Sequence, residues 1–280
     1  MRTLILLLTL VCCGGCSTSG PAAAVNDSKT ATPGPAPANN TRFNGHRAAV
    51  VLTYDDGLPQ HLTHVLPALA KHDLPATFYL AVALPDVSER LEEWRAVAAA
   101  GHELGNHTLY HPCDSEKPGQ EWVNPQNDLA TYSTSDIYRE IRMTNVFLEA
   151  LDGRTERTFA YTCGDRRTGE GSFVATTSGM FPASRGVTSA LNPTGATDLD
   201  NVNAYVVAGQ SGAEMIAWVE EAERTGALLV FLFHGVGGGH SLDVSLEAHE
   251  ELLTYLEGRR DKLWVTTMLA AAKNLRAVGE

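Results

Sequence analysis

Along the chain, continuous apolar runs alternate with segments that repeat their apolar residues every three or four positions. "AAVVLTY" (48–54) is β-branched and unbroken, the pattern of a strand buried on both faces. Residues 59–73 carry helical spacing, and "ATFYLAV" (76–82) is the next strand. Residues 87–101 predict a helix with Ser88 as N-cap and Gly101 as its stop, and 102–108 begin a short strand. Residues 133–153 form an amphipathic helix, followed by a strand at 157–161, a helix at 214–226 and the apolar strand "ALLVFLFHG" (227–235). A helix at 245–261, the strand "LWVTT" (263–267) and a helix from 268 to 276 complete the series. Strands alternating with helices over this length imply parallel β-α units, hence an α/β fold that is an open doubly wound sheet or a barrel. In either, chemistry collects at the C-terminal ends of the strands.

The N-terminus departs from this alternation. Arg2 precedes "LILLLTLV", which is too short to span a bilayer, and then "CCGGC". That layout predicts an export signal over 1–16, of the lipoprotein type, with Cys16 as the acylated residue. Cys13 stands where such signals usually carry Leu, and cleavage within "PAAA" (21–24) is the alternative. Residues 17–42 are Pro-, Ala-, Ser- and Thr-rich with almost no large apolar side chain, the composition of a flexible linker. One folded domain, 43–280, follows. The expected setting is a bacterial cell envelope, periplasmic or at the cell surface, with the membrane touched only through Cys16.

The 280 residues carry a formal charge of −12, which argues against nucleic acid or anionic lipid as the main partner but not against a neutral carbohydrate. Against that background, Asp55 and Asp56 end the first strand side by side. An Asp-Gly turn is the plain explanation. A cation between or beside the carboxylates is the functional one. "GNHTLYH" supplies His107 and His111 at the end of the third strand, four apart, a spacing that places both imidazoles on one side of a helical or turn-like segment. With one carboxylate they make a two-His, one-carboxylate face that leaves positions open. "HELGNH" is not a zincin motif, because its second His falls one residue too late. His234 ends another apolar strand. His61, His64, His72, His240 and His249 are expected at the surface or in loops, and "GVGGGH" as a flexible rim.

"TYDDG" (53–57), "HTLYH" (107–111) and "LFH" (232–234), in that order, resemble three motifs of the polysaccharide deacetylases, the NodB-type domains of carbohydrate esterase family 4. The resemblance covers roughly residues 46–275. It implies a single-domain distorted (β/α) barrel of about seven parallel strands. It also implies a hydrolase that removes acetyl groups from a poly- or oligosaccharide. By the resemblance, Asp55 is the general base, and Asp56, His107 and His111 bind one divalent metal. Zinc is the first choice by ligand type, with cobalt, nickel or manganese also suited. His234 is the acid, Leu232 walls the acetyl-methyl pocket, and backbone N–H groups near Tyr161 hold the oxyanion.

The sequence departs from the family in two places. Ala160 and Tyr161 stand where an arginine and its neighbour are expected, and no proline follows in "RTFAYTCGD". The usual Asp-Trp motif has no clear counterpart. "MFPASRGV" offers Arg185, which is expected to replace the missing arginine by pairing with Asp55 from a different strand, holding its orientation and its charge. Cys113 and Cys163 are either a disulfide across two loops of the same barrel edge or two unpaired small residues. The departures leave open an acetylxylan-type O-acetyl esterase and, in another class, a non-catalytic carbohydrate-binding protein with a relic metal site. The chain is read as a monomer.

Overall fold

The computed structural model describes residues 43–279. The export signal, the linker and Cys16 lie outside the described residues. Eight strands pair in one all-parallel sheet: β1 (Ala48–Asp55), β2 (Thr77–Leu80), β3 (Glu103–Asn106), β4 (Phe159–Ala160), β5 (Ser184–Arg185), β6 (Tyr205–Val206), β7 (Leu228–Phe233) and β8 (Leu263–Thr266). Their spatial order is β5-β4-β3-β2-β1-β7-β6, and β8 shares one edge of β1 with β2. β8 pairs residues 48–51 of β1 and β2 pairs residues 53–55, so β1 has neighbours along its whole length. The sheet curls until its edges meet. Val202 bridges Arg185 of β5, and Tyr205–Val206 just beyond pairs with β7. This is the distorted barrel expected: seven parallel strands follow one another around the curled sheet, and β8 joins alongside β1.

All eight residues of β1 are buried, and their alternation divides the interior. Val50, Leu52 and Tyr54 join Leu229, Phe231 and Phe233 in the layer packed against the surrounding helices. Ala49 and Val51 join Leu228, Val230 and Leu232 on the other face, where Met268, Ala271, Ala272 and Leu275 of the C-terminal helix close over them. Asp55 lies four residues beyond Val51, so its side chain belongs to that second face.

Three of the longer helices, Thr134–Asp152, Gly212–Thr225 and Leu246–Glu257, start on a serine cap. Ser133 and Asp136 form a capping box at the start of Thr134–Asp152, which stops at left-handed Gly153. Ser211 and Glu214 do the same for Gly212–Thr225, which begins two residues before the expected start at 214. The single helix expected over 87–101 is instead two, Pro85–Ser88 and Leu91–Ala99. Ser88 ends the first and is not an N-cap; Pro85, with its fixed φ, starts that turn early, and Arg90 (φ −124°) separates the two. No helix among the described residues is long and apolar enough to cross a membrane.

Three of the histidines expected at the surface are buried: His61, His72 and His249. Groups at the ends of buried strands need partners, and two of these imidazoles supply them. His249 Nε2 meets the Tyr54 hydroxyl at 2.8 Å, and His61 Nε2 donates to the His234 carbonyl at 2.8 Å. His72 lies between Glu250 (2.9 Å) and Glu257 (2.6 Å). The glycine rim is likewise tied down rather than loose. Gly235 N–H bonds the Leu242 carbonyl (3.0 Å), Gly237 N–H that of Val244 (2.8 Å), and His64 Nδ1 donates to Val236 (2.8 Å).

Candidate active site

β1 delivers Asp55 in extended conformation, then turns sharply. Asp56 (φ 77°) and Gly57 (φ 74°) are both left-handed, and both carboxylates keep an oxygen near His107 Nε2, at 3.8 Å for Asp55 and 3.6 Å for Asp56. A Cβ at Gly57 would sit 2.5 Å from Val87, which fixes glycine there. Six non-glycine residues among those described have positive φ, and four of them, Asp56, Thr108, His111 and Cys163, are at this site. Such conformations persist only where surrounding bonds hold them, and they concentrate at functional sites.

Those bonds can be named. After β3 the chain leaves the sheet at Asn106, whose side-chain oxygen accepts the Thr108 N–H (2.9 Å) while its amide donates to the Ile141 carbonyl and to Asn145 (2.8 Å each). Buried Glu140 accepts the N–H groups of Leu109 (3.2 Å) and Tyr110 (3.1 Å) and the Tyr132 hydroxyl (2.7 Å). Burial raises its pKa. The Thr108 hydroxyl accepts the His111 N–H at 3.1 Å. His107 and His111 are therefore brought together by a loop of left-handed residues, not a helical turn, with ring centroids 4.8 Å apart. Asn106 and Glu140 were not singled out in the sequence. The available signals were an amide ending an apolar strand and a glutamate on the buried stripe of an amphipathic helix.

Asp56, His107 and His111 bring ligand-type atoms within 4.8 Å of one another. Asp56 Oδ1 lies 3.6 Å from His107 Nε2 and 3.3 Å from His111 Nε2, and is buried without a hydrogen-bond partner. His107 donates from Nδ1 to the Ala160 carbonyl at 2.9 Å, which leaves a lone pair on Nε2 facing Asp56. Burial lowers the His107 pKa to about 4, so this imidazole is neutral near pH 7. Burial works to raise the Asp56 pKa, but the imidazoles, His111 foremost, bring it down to about 2. A buried carboxylate oxygen with no donor and an imidazole lone pair pointed at it fit a divalent cation between them. A second cluster, His111 with Cys113 and Cys163, does not fit: the two cysteines form a disulfide (Cα separation 5.8 Å) and have no thiolates to offer. That bridge joins the His111 loop to the loop after β4. Closing 50 residues of chain, it stabilises by about 4 kcal/mol on the loop-entropy estimate.

Asp55 is 3% exposed. Its Oδ2 accepts a bond from Arg185 Nη2 and lies 3.8 Å from His107 Nε2, while Oδ1 has no partner. Arg185 is fully buried on β5, donates from Nη1 to the Gly186 carbonyl (3.0 Å) and lies over the Tyr79 ring (5.2 Å). The pairing expected for Arg185 is thus present. Ala160, where the arginine was expected, contributes only its carbonyl. His234 follows β7, two residues beyond Leu232 on the Asp55 face. Its ring stacks on His240 at 4.5 Å, its Nδ1 is buried without a partner, and burial lowers its pKa.

Tyr161 spends its donors away from the site. The Tyr161 N–H donates to the Arg185 carbonyl (3.0 Å), an edge bond of the curled sheet, and its hydroxyl bonds Thr177 (2.7 Å) and the Asp200 carbonyl (3.0 Å). It has no donor left for an oxyanion. Leu232 is buried with Val51 and Val230, on the face that carries Asp55 and two residues before His234.

The sequence profile of the polysaccharide deacetylases matches residues 43–170. The match takes in Asp55, Asp56, His107 and His111; Arg185 and His234 lie beyond it. A chitooligosaccharide deacetylase from Rhizobium leguminosarum bv. trifolii is 43% identical over 97 residues, 34% of this chain and 37% of that protein. A peptidoglycan-N-acetylglucosamine deacetylase from Bacillus cereus is 32% identical over 117 residues, 41% and 42% of the two chains. These matches span about two fifths of the relatives' length. A solved structure from Mycobacterium smegmatis, assigned to the polysaccharide deacetylases, superposes over 84% of this chain and 92% of its own with a TM-score of 0.57. At 14% identity, that likeness is one of fold.

Proposed function

We propose that this chain is an exported, metal-dependent hydrolase that removes N-acetyl groups from a glycan. The carrying observation is the buried, donorless Oδ1 of Asp56 facing the imidazoles of His107 and His111. In this reading those three side chains hold one divalent ion, zinc by ligand type. Bound there, the ion would supply Lewis-acid polarisation of the acetyl carbonyl and a lowered pKa for the attacking water. Asp55 accepts the water's proton at Oδ1, the oxygen left free because Arg185 occupies Oδ2. Arg185 fixes that buried carboxylate and balances its charge. His234, on the same face of a neighbouring strand, donates a proton to the departing nitrogen, and the amine and acetate leave. The two curated relatives, named as a chitooligosaccharide deacetylase and a peptidoglycan-N-acetylglucosamine deacetylase, support this reading.

A lectin with a relic site would need neither a free carboxylate oxygen beside the metal nor an unpartnered imidazole opposite, and both are present. O-acetyl esters, as on xylan, remain within reach of the same groups. Acetate release from a panel of N- and O-acetylated oligosaccharides tests the reading. The expected result is release from N-acetylated chitooligosaccharides exceeding that from O-acetylated xylooligosaccharides. Release from the latter alone would reassign the substrate, and none from any would leave the binding-protein reading standing.

A further inference from the structure

One feature of the site's entrance is unused by this chemistry. Trp122 is 65% exposed, more than any other large hydrophobic residue described, and Tyr110 nearby is 49% exposed. Leaving an indole in water is costly unless something covers it, since aromatic side chains carry large apolar areas. Trp122 is also held in place: its Nε1 donates to the Gly119 carbonyl at 3.1 Å, and adjoining Val123 is buried. Tyr110 is fixed through its N–H on Glu140. Both rings line one cleft of about 340 Å³ that also holds Asp56 and His111, so whatever lies against the aromatics is continuous with the candidate metal site. Asn124 and Asn127 line it too, offering amide donors and acceptors. Asp56 and the imidazoles of His111 and His240 are its sole titratable groups apart from the Tyr110 phenol; no lysine, arginine or glutamate lines it.

Rigid aromatic faces with neutral amides beside them suit a pyranose ring, whose C–H face is apolar and whose rim is hydroxylated. The only charged side chain lining it is the Asp56 carboxylate, and no lysine or arginine is there to pair with the carboxylate of a uronic acid. We infer that Trp122 and Tyr110 form the platform for the sugar neighbouring the one that loses its acetyl group. The preferred substrate is then a neutral glycan of at least two residues, not a monosaccharide. This rests on the deacetylase reading for its catalytic arm but not for its binding arm.

The test compares wild type with Trp122→Ala and Trp122→Phe. With tetra-N-acetylchitotetraose, kcat/KM should fall about tenfold in Trp122→Ala, the factor that corresponds to 1.4 kcal/mol, mostly through KM. Trp122→Phe should retain most of it. Hydrolysis of a small chromogenic acetyl ester should be unchanged in both, which separates loss of the platform from damage to the site. In the binding arm, the metal-free protein is titrated with the tetrasaccharide and with N-acetylglucosamine. Wild type should show a change in tryptophan fluorescence with the tetrasaccharide that Trp122→Phe lacks, and little response to the monosaccharide. If the tetrasaccharide leaves wild-type fluorescence unchanged, or if Trp122→Ala loses ester and tetrasaccharide hydrolysis equally, the platform is refuted. Absence of acetate release by wild type, with the fluorescence response intact, would instead overturn the deacetylase reading and leave the platform standing.

Discussion

Asp55→Asn is expected to lower kcat for acetate release by about 10³-fold, within the range for removing a positioned general base. The amide matches the carboxylate in shape and can still accept a bond from Arg185 on its oxygen, but it cannot take a proton. Asp56, His107 and His111 are untouched, so metal content should stay at the wild-type level. Acetate assay and elemental analysis of the same preparation check both halves. Activity above a tenth of wild type would show that another group takes the water's proton. Loss of metal together with activity would show Asp55 to be a ligand.

Arg185→Met should act on stability as well as rate. Arg185 and Asp55 are both buried, and removing one partner of a buried pair leaves the other charge uncompensated, at a cost of about 3–5 kcal/mol. For a domain of this size that corresponds to a fall in Tm of about 10 °C. The kcat should fall too, since Asp55 loses the bond that aims its free oxygen at the water. Asp55→Asn/Arg185→Met, with both charges removed, should be more stable than Arg185→Met alone. Thermal unfolding of the set decides the matter. A single mutant with wild-type Tm would mean the guanidinium contributes nothing to holding the carboxylate.

How much of this was legible in the sequence depended on how long each signal was. β1, β7 and the helix Thr134–Asp152 are long enough for periodicity and capping residues to fix them. β4, β5 and β6 are two residues each, and two residues carry no period. The barrel's closure through Val202 was invisible for that reason. The grouping of Asp55, Asp56, His107 and His111 was legible because Asp55 ends β1 with Asp56 next to it, and His107 follows β3 with His111 in the same short loop. Arg185 was reached because the arginine that the family resemblance implies is missing at Ala160, and downstream Arg185 alone was read as lying at a strand end.

The misreadings have a common physical source. A residue at a strand end may present its N–H to a ligand or spend it on a neighbouring strand, and Tyr161 does the second. His61, His72 and His249 look like ordinary polar positions on helices, yet each turns inward to a group that the sheet or an adjacent helix leaves needing a partner. Pairing of that kind is set by the packing of helix on sheet, which local sequence does not encode. The curled fold also leaves catalysis undecided by itself, because a fold fixes positions and not chemistry.

The most direct test is acetate release from tetra-N-acetylchitotetraose by the same enzyme before chelation, after removal of divalent metal, and after addition of one equivalent of zinc. The account predicts activity that is lost on chelation and restored by zinc, with one ion bound per chain. The same treatment of Asp56→Ala should restore nothing. Undiminished acetate release from the metal-free protein would contradict it.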